Sequence, residues 1–275
     1  MQTKPILVIG ATGKTGSRVT RRLERLGYPV RRGTRGAAIP FDWDKPETWA
    51  RALDGVSKAY VTYFPDIAIP GAVERVEALC ADARKAGVER LVMLTGRGEH
   101  HARRGEEAVR ASGVDFTLIR AAWFAQNFSE GYLRDPILSG VMPMPGGDVR
   151  EPIIDVEDIA DVATAVLTED THSGELYEVT GPRLMTFAEM ATAMTAAIGR
   201  PIRHLPITLQ DFHASVRSAA GDFIADILTQ IARETLDGRN SYVSDGVERA
   251  IGRAPRDFEA FAREAAAAGA WAEAA

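Results

Sequence analysis

Cysteine is nearly absent from this chain of 275 residues, which has only Cys80. A single thiol excludes a disulfide within the chain, and its place on an apolar helical stripe with Val73 and Val76 predicts a core thiol rather than a nucleophile. The chain also lacks any apolar run long enough to cross a bilayer. No His-Glu-x-x-His motif and no paired Cys/His spacing occurs, so we predict no metal site.

Positive charge is not in excess either, because 33 Lys and Arg residues stand against 38 Asp and Glu residues, for a formal net charge of −5. This balance argues against a general nucleic-acid or membrane-surface binder. We therefore expect a cytoplasmic protein whose partner is a small molecule. The sequence leaves the oligomeric state open, and a homo-oligomer is one alternative.

The most informative feature that is present is an apolar run followed by three glycines spaced three apart, Gly10, Gly13 and Gly16. Such a loop offers backbone N–H groups and the positive end of a helix dipole to a phosphate or pyrophosphate. The apolar run predicts a buried strand, and the residues after Gly16 predict a helix, which is the context that a dinucleotide site needs. A Walker loop is the competing interpretation, but its Gly-x-x-x-x-Gly-Lys-Ser/Thr spacing does not fit Gly10 and Lys14.

The end of the second predicted strand distinguishes NAD from NADP. An NAD site places Asp or Glu there to bind the ribose hydroxyls, whereas a 2′-phosphate favours arginine. The segment between Tyr28 and Phe41 contains no acidic residue but has Arg31, Arg32 and Arg35, the last at the expected strand end. The alternative is a solvated basic run that continues from the preceding helix. The sequence therefore favours NADP(H), with Arg35 at the 2′-phosphate.

Strand-like and helix-like segments alternate through the first two thirds of the chain, which predicts an α/β fold with a Rossmann-type doubly wound parallel sheet. After the second strand, the expected strands are 38–43, 59–64, 90–95, 116–122 and 176–180, and the expected helices are 46–53, 73–86, 106–111 and 156–167. From Thr186, which begins a capping box, the strand pattern stops and helices are expected, among them 224–236 and 258–268.

This pattern also predicts how the chain divides into domains. Residues 1–135, with 153–181 returning to the sheet, are expected to form an NAD(P)-binding Rossmann domain. Residues 136–152, rich in proline and glycine, and 182–275 are expected to form a smaller, mostly helical substrate or lid lobe. The 136–152 excursion begins soon after a strand, where ligands of open α/β sheets bind.

Several motifs together resemble those of the NmrA-like family of atypical short-chain dehydrogenases, over nearly the whole chain. They are Gly10-Ala11-Thr12-Gly13-Lys14-Thr15-Gly16, Arg35, Phe41-Asp42-Trp43, the segment 112–120, Trp123-Phe124-Ala125-Gln126-Asn127 and the segment 154–160. That family includes NADPH-dependent quinone reductases, other reductases of conjugated compounds, and NADP-binding regulators with no known chemistry. The resemblance therefore implies a fold and a cofactor more than a substrate.

Carried over by position, the resemblance also implies roles for particular residues. It implies that the residues from Thr12 to Thr15 contact the pyrophosphate and that Arg35 contacts the 2′-phosphate. Asp42 and Trp43 would then border the adenine, and Thr62, Tyr63 and Phe64 would follow the ribose. The resemblance further implies that Thr95 and Gly96 approach the nicotinamide and that the substrate pocket contains Trp123, Phe124 and Asn127. With Gly10, Lys14 and Gly16 of the glycine loop, these form the predicted site.

Purely structural roles are the alternatives for some of these residues. Asp42 alternatively belongs to a solvated turn, and Trp123 and Phe124 alternatively pack in the core. Asp155 and Asp158 are better explained as a helix cap and a first-turn charge than as a catalytic carboxylate pair.

The Tyr-x-x-x-Lys pair of ordinary short-chain dehydrogenases is missing, because no tyrosine of this chain is followed by lysine four residues later. His100 and His101 are the nearest candidates for proton donation, although adjacent histidines in a polar loop are more often solvated. A quinone or a conjugated cation that accepts hydride gives a delocalised or neutral product, so it has less need of a positioned acid than a simple ketone. We predict an NADPH-dependent oxidoreductase acting on such an electrophile. The alternative is a non-catalytic NADP(H)-sensing regulatory protein of the NmrA type.

Overall fold

A parallel sheet of six strands forms the centre of the fold in the computed structural model, which describes residues 4–272. The strands are β1 (Ile6–Ile9), β2 (Val30–Gly33), β3 (Lys58–Val61), β4 (Arg90–Gly96), β5 (Asp115–Ala121) and β8 (Leu176–Val179), in the spatial order β2-β1-β3-β4-β5-β8. All four residues of β1 are buried, as its continuous apolar run predicts for a strand covered on both faces. The order reverses beside β1, which creates the crevice where open α/β sheets bind ligands. The predicted fold class is confirmed.

Helices cover both faces of this sheet and form most of the rest of the chain. They are α1 (Lys14–Arg25), α2 (Trp49–Leu53), α3 (Ala72–Lys85), α4 (His100–Ala111), α5 (Arg134–Leu138), α6 (Val156–Thr168), α7 (Phe187–Ile198), α8 (Leu209–Ala220), α9 (Asp222–Thr235), α10 (Gly246–Ile251) and α11 (Phe258–Ala267), with short 3-10 helices at Pro46–Thr48 and Ala125–Asn127. Apolar residues of α2, α3 and α4 pack on one face of the sheet, and those of α1, α6 and α10 pack on the other. None of the described helices is long and apolar enough to cross a membrane.

Two of the four arginines of α1 are paired within the fold, whereas Arg21 and Arg25 are exposed. Arg18 and Arg22 each donate to Glu157 of α6 at 2.6 Å, and Arg22 also donates to Asp161 at 2.6 Å. These partly buried pairs join α1 to α6, so the charges of Arg18 and Arg22 are neutralised within the fold.

The remaining helices pack around a third apolar core that includes Phe187, Phe212 and Phe258. Two small sheets belong to this region, because β6 (Val141–Met144) pairs in parallel with β10 (Arg203–Pro206), and β7 (Arg150–Glu151) pairs with β9 (Met185–Thr186). We expected residues 136–152 to be irregular and expected no strands after residue 180. Both expectations are wrong, because β6 and β7 lie in the first segment and β9 and β10 lie after residue 180. The predicted domain boundaries stay a prediction, and residues 1–3 and 273–275 of those domains lie outside the described part of the chain.

Two other element predictions also need correction. No strand forms over 38–43: Pro40 has no N–H for a sheet ladder, and the rings of Phe41 and Trp43 instead pack against Trp49 at 6.0 and 5.6 Å between centroids. Helix α4 begins at His100 rather than at residue 106, because Gly105 does not break it. A Cβ on Gly105 would lie 2.4 Å from Ile67, so glycine there permits close packing.

The capping box predicted at Thr186 is confirmed. The Thr186 hydroxyl accepts from the Glu189 N–H at 3.1 Å, and the Glu189 carboxylate accepts from the Thr186 N–H at 2.7 Å.

Candidate functional site

A cleft of about 1070 Å³ runs along the carboxyl ends of β1, β3, β4 and β5. Its lining brings together segments from the glycine loop at residue 10 to the loop after β5, more than a hundred positions along the chain. Every residue predicted for the cofactor or the substrate pocket lines this cleft except Gly16. The structure therefore places the predicted residues together at the strand ends, while their individual roles stay predictions.

The glycine loop has the geometry of a phosphate cradle. Gly10 has a φ of +74°, and a Cβ there would lie 2.4 Å from the Thr62 hydroxyl oxygen. A Cβ on Gly16 would lie 2.2 Å from the Gly10 carbonyl oxygen, so Gly16 packs α1 against the loop instead of lining the cleft. Gly13 is the N-cap of α1 and no side chain of the described residues caps that helix. The N–H groups of its first turn are thus available to an anion.

Lys14 adds a positive charge beside this loop. Its ammonium group donates to the amide oxygen of Asn127 at 2.7 Å, which links the glycine loop to the segment after β5. Burial lowers the pKa of Lys14 from its ordinary value. The lysine therefore lies in a partly desolvated position, where a nearby phosphate would interact with it strongly.

The three arginines after β2 have different partners. Arg31 donates to backbone carbonyls at the end of α2, including that of Ala52 at 3.0 Å, and Arg32 pairs with Glu24 at 2.8 Å. Arg35 is exposed at the cleft and has no hydrogen-bonded or ionic partner among residues 4–272. It is thus the arginine of the three that is available to an anionic ligand.

The adenine end of the predicted site is aromatic. Trp43 and Tyr63 pack with their ring centroids 4.5 Å apart, and the Trp43 indole donates to the Thr62 carbonyl at 3.1 Å. The Asp42 carboxylate accepts from the Asp44 N–H at 3.1 Å, so the turn that we gave as the alternative for Asp42 does form. Asp42 also lines the cleft, and the two interpretations are compatible.

The opposite end of the cleft is apolar. The Trp123 indole donates to the Thr235 hydroxyl of α9 at 2.9 Å, which brings α9 against the segment after β5. Trp123 and Phe124 are half-buried, and each packs against an apolar core while lining the cleft. The far wall comes from α9, which sequence reasoning did not assign to the site; its lining residues are Phe223, Ile224, Leu228 and Ile231.

His100 and His101 lie in the first turn of α4 and not in a polar loop, so that expectation is wrong. Neither histidine is among the residues that line the cleft. Asp155 caps α6 by accepting from the Glu157 N–H at 2.8 Å, and Asp158 pairs with Arg253 at 2.7 Å. The structural explanation for these two carboxylates is therefore confirmed.

Three acidic residues that the sequence did not single out also line the cleft. They are Asp44, two residues after Asp42; Asp66, in the loop after β3; and Glu99, just before α4. The Glu99 carboxyl lies directly over Gly96, a predicted nicotinamide contact. Asp66 is close enough to Glu99 for its charge to raise the Glu99 pKa.

The fold and the cleft together define a Rossmann-type dinucleotide-binding protein. Residues 10–170 match the NAD(P)H-binding family, and the chain belongs to this family. The NAD(P)H azoreductase of Xenophilus azovorans is 32% identical over 96% of this chain and 98% of its own length. The (4-alkanoyl-5-oxo-2,5-dihydrofuran-3-yl)methyl phosphate reductase of Streptomyces griseus is 30% identical over 96% of this chain and 98% of its own.

A solved structure shows the same fold. The triphenylmethane reductase of a Citrobacter species, complexed with NADP(H), superposes with a TM-score of 0.75 over 95% of this chain and 99% of its own, at 23% identity. The resemblance to atypical dehydrogenases and the nicotinamide dinucleotide predicted from the sequence are thereby confirmed.

Proposed function

We propose that the protein is an NADPH-dependent reductase that transfers hydride to a quinone or a similar conjugated electrophile. The observation that carries this proposal is the division of one cleft into two chemically different parts. One part has the glycine loop, Lys14 and Arg35, which suit a dinucleotide with an extra phosphate. The other part, beyond Gly96, has apolar walls from Trp123 and α9 that suit a flat, hydrophobic substrate. The reductase names of the two sequence relatives support the same class of activity.

In this proposal the bound cofactor supplies the hydride, and the chain supplies position and desolvation. The first turn of α1 and Lys14 hold the pyrophosphate, while Thr95 and Gly96 border the nicotinamide. Trp123 and the apolar face of α9 orient the substrate and exclude water, which keeps hydride acceptor and donor in contact.

Oxidation of NADPH with a panel of quinones, ketones and imines tests the proposal. We expect turnover with a naphthoquinone. We also expect Trp123→Ala to lower kcat/KM by about 10- to 100-fold, the effect of losing roughly 1.5–3 kcal/mol of aromatic contact. Trp123→Phe, which keeps a flat ring but loses the bond to Thr235, is the matched control and should lose less. The affinity for NADPH should stay within about twofold in both variants, because Trp123 lies at the substrate end of the cleft.

One result of the same assay would contradict the proposal. Tight NADPH binding without oxidation by any acceptor of the panel would remove the reductase proposal and favour the sensor alternative.

Arg35→Ala tests the choice of cofactor. Loss of the exposed guanidinium should weaken NADPH binding by about 1–3 kcal/mol, the usual range for a hydrogen bond to a charged group, and leave NADH binding nearly unchanged. Calorimetric titration of both cofactors measures the difference. Arg32→Ala is the control, since Arg32 pairs with Glu24 and should affect neither titration. An equal loss for NADPH and NADH in the Arg35 variant would show that Arg35 does not bind the 2′-phosphate.

A further inference from the structure

Glu99 places its carboxyl group in the cleft and does not make the capping hydrogen bond that its position at the start of α4 would allow. It is the N-cap residue of α4, yet its side chain makes no capping hydrogen bond. The side chain lies over Gly96 instead, so that a Cβ on Gly96 would come within 1.9 Å of Glu99 Oε1. Glu99 is only 7% exposed, and its Oε2 atom has no hydrogen-bond partner within residues 4–272. A buried, unpartnered carboxyl oxygen at a ligand cleft points to a group that acts on the ligand.

Two more carboxylates face this group. Asp66 accepts from the Ala68 N–H at 2.8 Å, and Glu234 of α9 accepts from the His100 N–H at 3.2 Å and from the Gln230 amide at 2.6 Å. Burial raises the pKa of Glu99 well above its ordinary value, and the charges of Asp66 and Glu234 raise it further. Burial also raises the pKa of Asp66. Burial and the carboxylates that face it therefore favour the protonated form of Glu99.

The nearby cations are paired with other groups. Arg97 lines the cleft, but its guanidinium donates to Glu178 at 2.8 Å and to the Asn240 and Tyr242 carbonyls at 2.9 Å each. Arg239 pairs with Asp237 at 2.7 Å. No ion pair to Glu99 is found in the described part of the chain, so nothing there stabilises its anion directly.

Building on the proposed reductase function, we propose that Glu99, with Asp66 beside it, is the proton donor that completes reduction of a neutral conjugated acceptor. The reaction balances as follows for a quinone. The acceptor gains a hydride, with its two electrons, from the nicotinamide, which is oxidised. An O–H bond forms between the resulting oxygen anion and the proton that leaves Glu99 Oε2, giving the hydroquinone, and water at the cleft mouth returns a proton to the carboxylate.

This assignment selects a substrate class. Quinones, enones and azo compounds are neutral, so each becomes an anion when it accepts a hydride, and that anion needs a proton. Iminium ions and dye cations become neutral on accepting hydride and need none. A buried acid beside Gly96 serves the first class. By sequence alone, quinones and conjugated cations fall together as acceptors that have less need of a positioned acid, and the candidate proton donors are His100 and His101. The buried pair of Glu99 and Asp66 separates these two kinds of acceptor.

The decisive variants are Glu99→Gln and Asp66→Asn, assayed with NADPH and a naphthoquinone across pH. Gln has the shape of the protonated acid but cannot donate its proton to the product, so kcat should fall about 100-fold or more, as for loss of a general acid. In the wild type, kcat should fall as pH rises and Glu99 ionises. Asp66→Asn removes a negative charge that favours the protonated form, so this alkaline limb should move to lower pH. Glu107→Gln, on the exposed side of α4, is the matched control and should leave the profile unchanged.

A second readout does not depend on turnover. The infrared carbonyl band of protonated carboxyl groups should be stronger at neutral pH in the cofactor-free wild type than in Glu99→Gln. The difference between the two spectra is the Glu99 band, because the buried carboxyl of Glu151 contributes to both proteins. The inference is overturned by a Glu99→Gln kcat within about threefold of wild type, or by an alkaline limb that Asp66→Asn does not move. Quinone reduction that persists in these variants removes the proton-donor role alone, whereas a wild type that oxidises no NADPH removes the reductase proposal and this role with it. If Glu99→Gln does not fold, the limb shift in Asp66→Asn decides.

Discussion

Gly13→Val should abolish dinucleotide binding and leave a folded protein. Gly13 has φ −78° and ψ 176°, an extended conformation that any residue adopts, so a side chain there causes little backbone strain. The nearest atom to an added Cβ is the Gly10 carbonyl oxygen at 3.3 Å, a tight contact that a small shift relieves. The branched side chain would, however, occupy the cleft at the N-terminus of α1, where the pyrophosphate has to approach the backbone. We expect the affinity for NADPH to fall by more than about 100-fold, roughly 3 kcal/mol.

Two other glycines make this experiment selective. Gly36→Val should bind NADPH normally, because an added Cβ there meets nothing within 4 Å. Gly16→Val should lose the fold of the loop itself, since its Cβ would lie 2.2 Å from the Gly10 carbonyl oxygen. Calorimetry measures binding, and thermal unfolding followed by circular dichroism measures folding. Wild-type affinity in Gly13→Val would show that the pyrophosphate lies elsewhere.

The half of the cleft that we propose for the cofactor was predictable because its signals are local. The glycine spacing, the apolar run before it and the arginine after the second strand each lie within a few residues of the atoms that they position. The rule that parallel strands end at one edge of the sheet then brings Thr62, Thr95 and Trp123 to the same place without knowledge of any contact. Their convergence in one cleft follows from that rule.

The half of the cleft that we propose for the substrate was less predictable because its residues meet only through tertiary packing. Ile224, Leu228 and Ile231 have the spacing of one helix face, but that spacing does not say whether the face covers a core or a cleft. Asp66 and Glu99 belong to separate loops, and neither lies in a recognisable motif. The burial that distinguishes them from solvated acids exists only once β3, β4 and α9 are assembled.

The errors in the predicted secondary structure also arise from tertiary packing that a local pattern does not show. The segment 38–43 has the aromatic and branched residues of a strand, yet the sheet ends at β2 because Phe41 and Trp43 are packed in an aromatic cluster instead. In the segment 136–152, prolines and glycines suggested an irregular loop. Met142 and Met144 nevertheless lie fully buried in β6, and burial of those side chains outweighs the weak local preference.

A second large effect is expected at Glu151, where the wild type should lose stability as pH rises. Glu151 lies in β7, is 1% exposed, and has no hydrogen-bond partner for either carboxylate oxygen among the described residues. Burial raises its pKa from 4.5 to about 8; the charge of Asp237 adds to this increase and that of Arg97 opposes it. At a pH between these two values, Glu151 keeps its proton in the folded protein, whereas the same carboxyl has lost it in the unfolded chain. The stability from this group is therefore complete below about pH 4.5 and is lost as pH rises through about 8, at a cost on the order of 5 kcal/mol.

Glu151→Gln should remove that loss, because the amide has the shape of the protonated acid and does not ionise. Denaturant unfolding from about pH 5 to about pH 9 should show a wild-type free energy of unfolding that falls with pH and a variant value that falls much less. The two proteins should differ most at the alkaline end, where the variant is the more stable by several kcal/mol. Glu107→Gln, at an exposed position of α4, should follow the wild-type curve throughout. Parallel curves for wild type and Glu151→Gln would mean that Glu151 ionises in the folded state as readily as in water, and that water or a rearranged cation reaches it in β7.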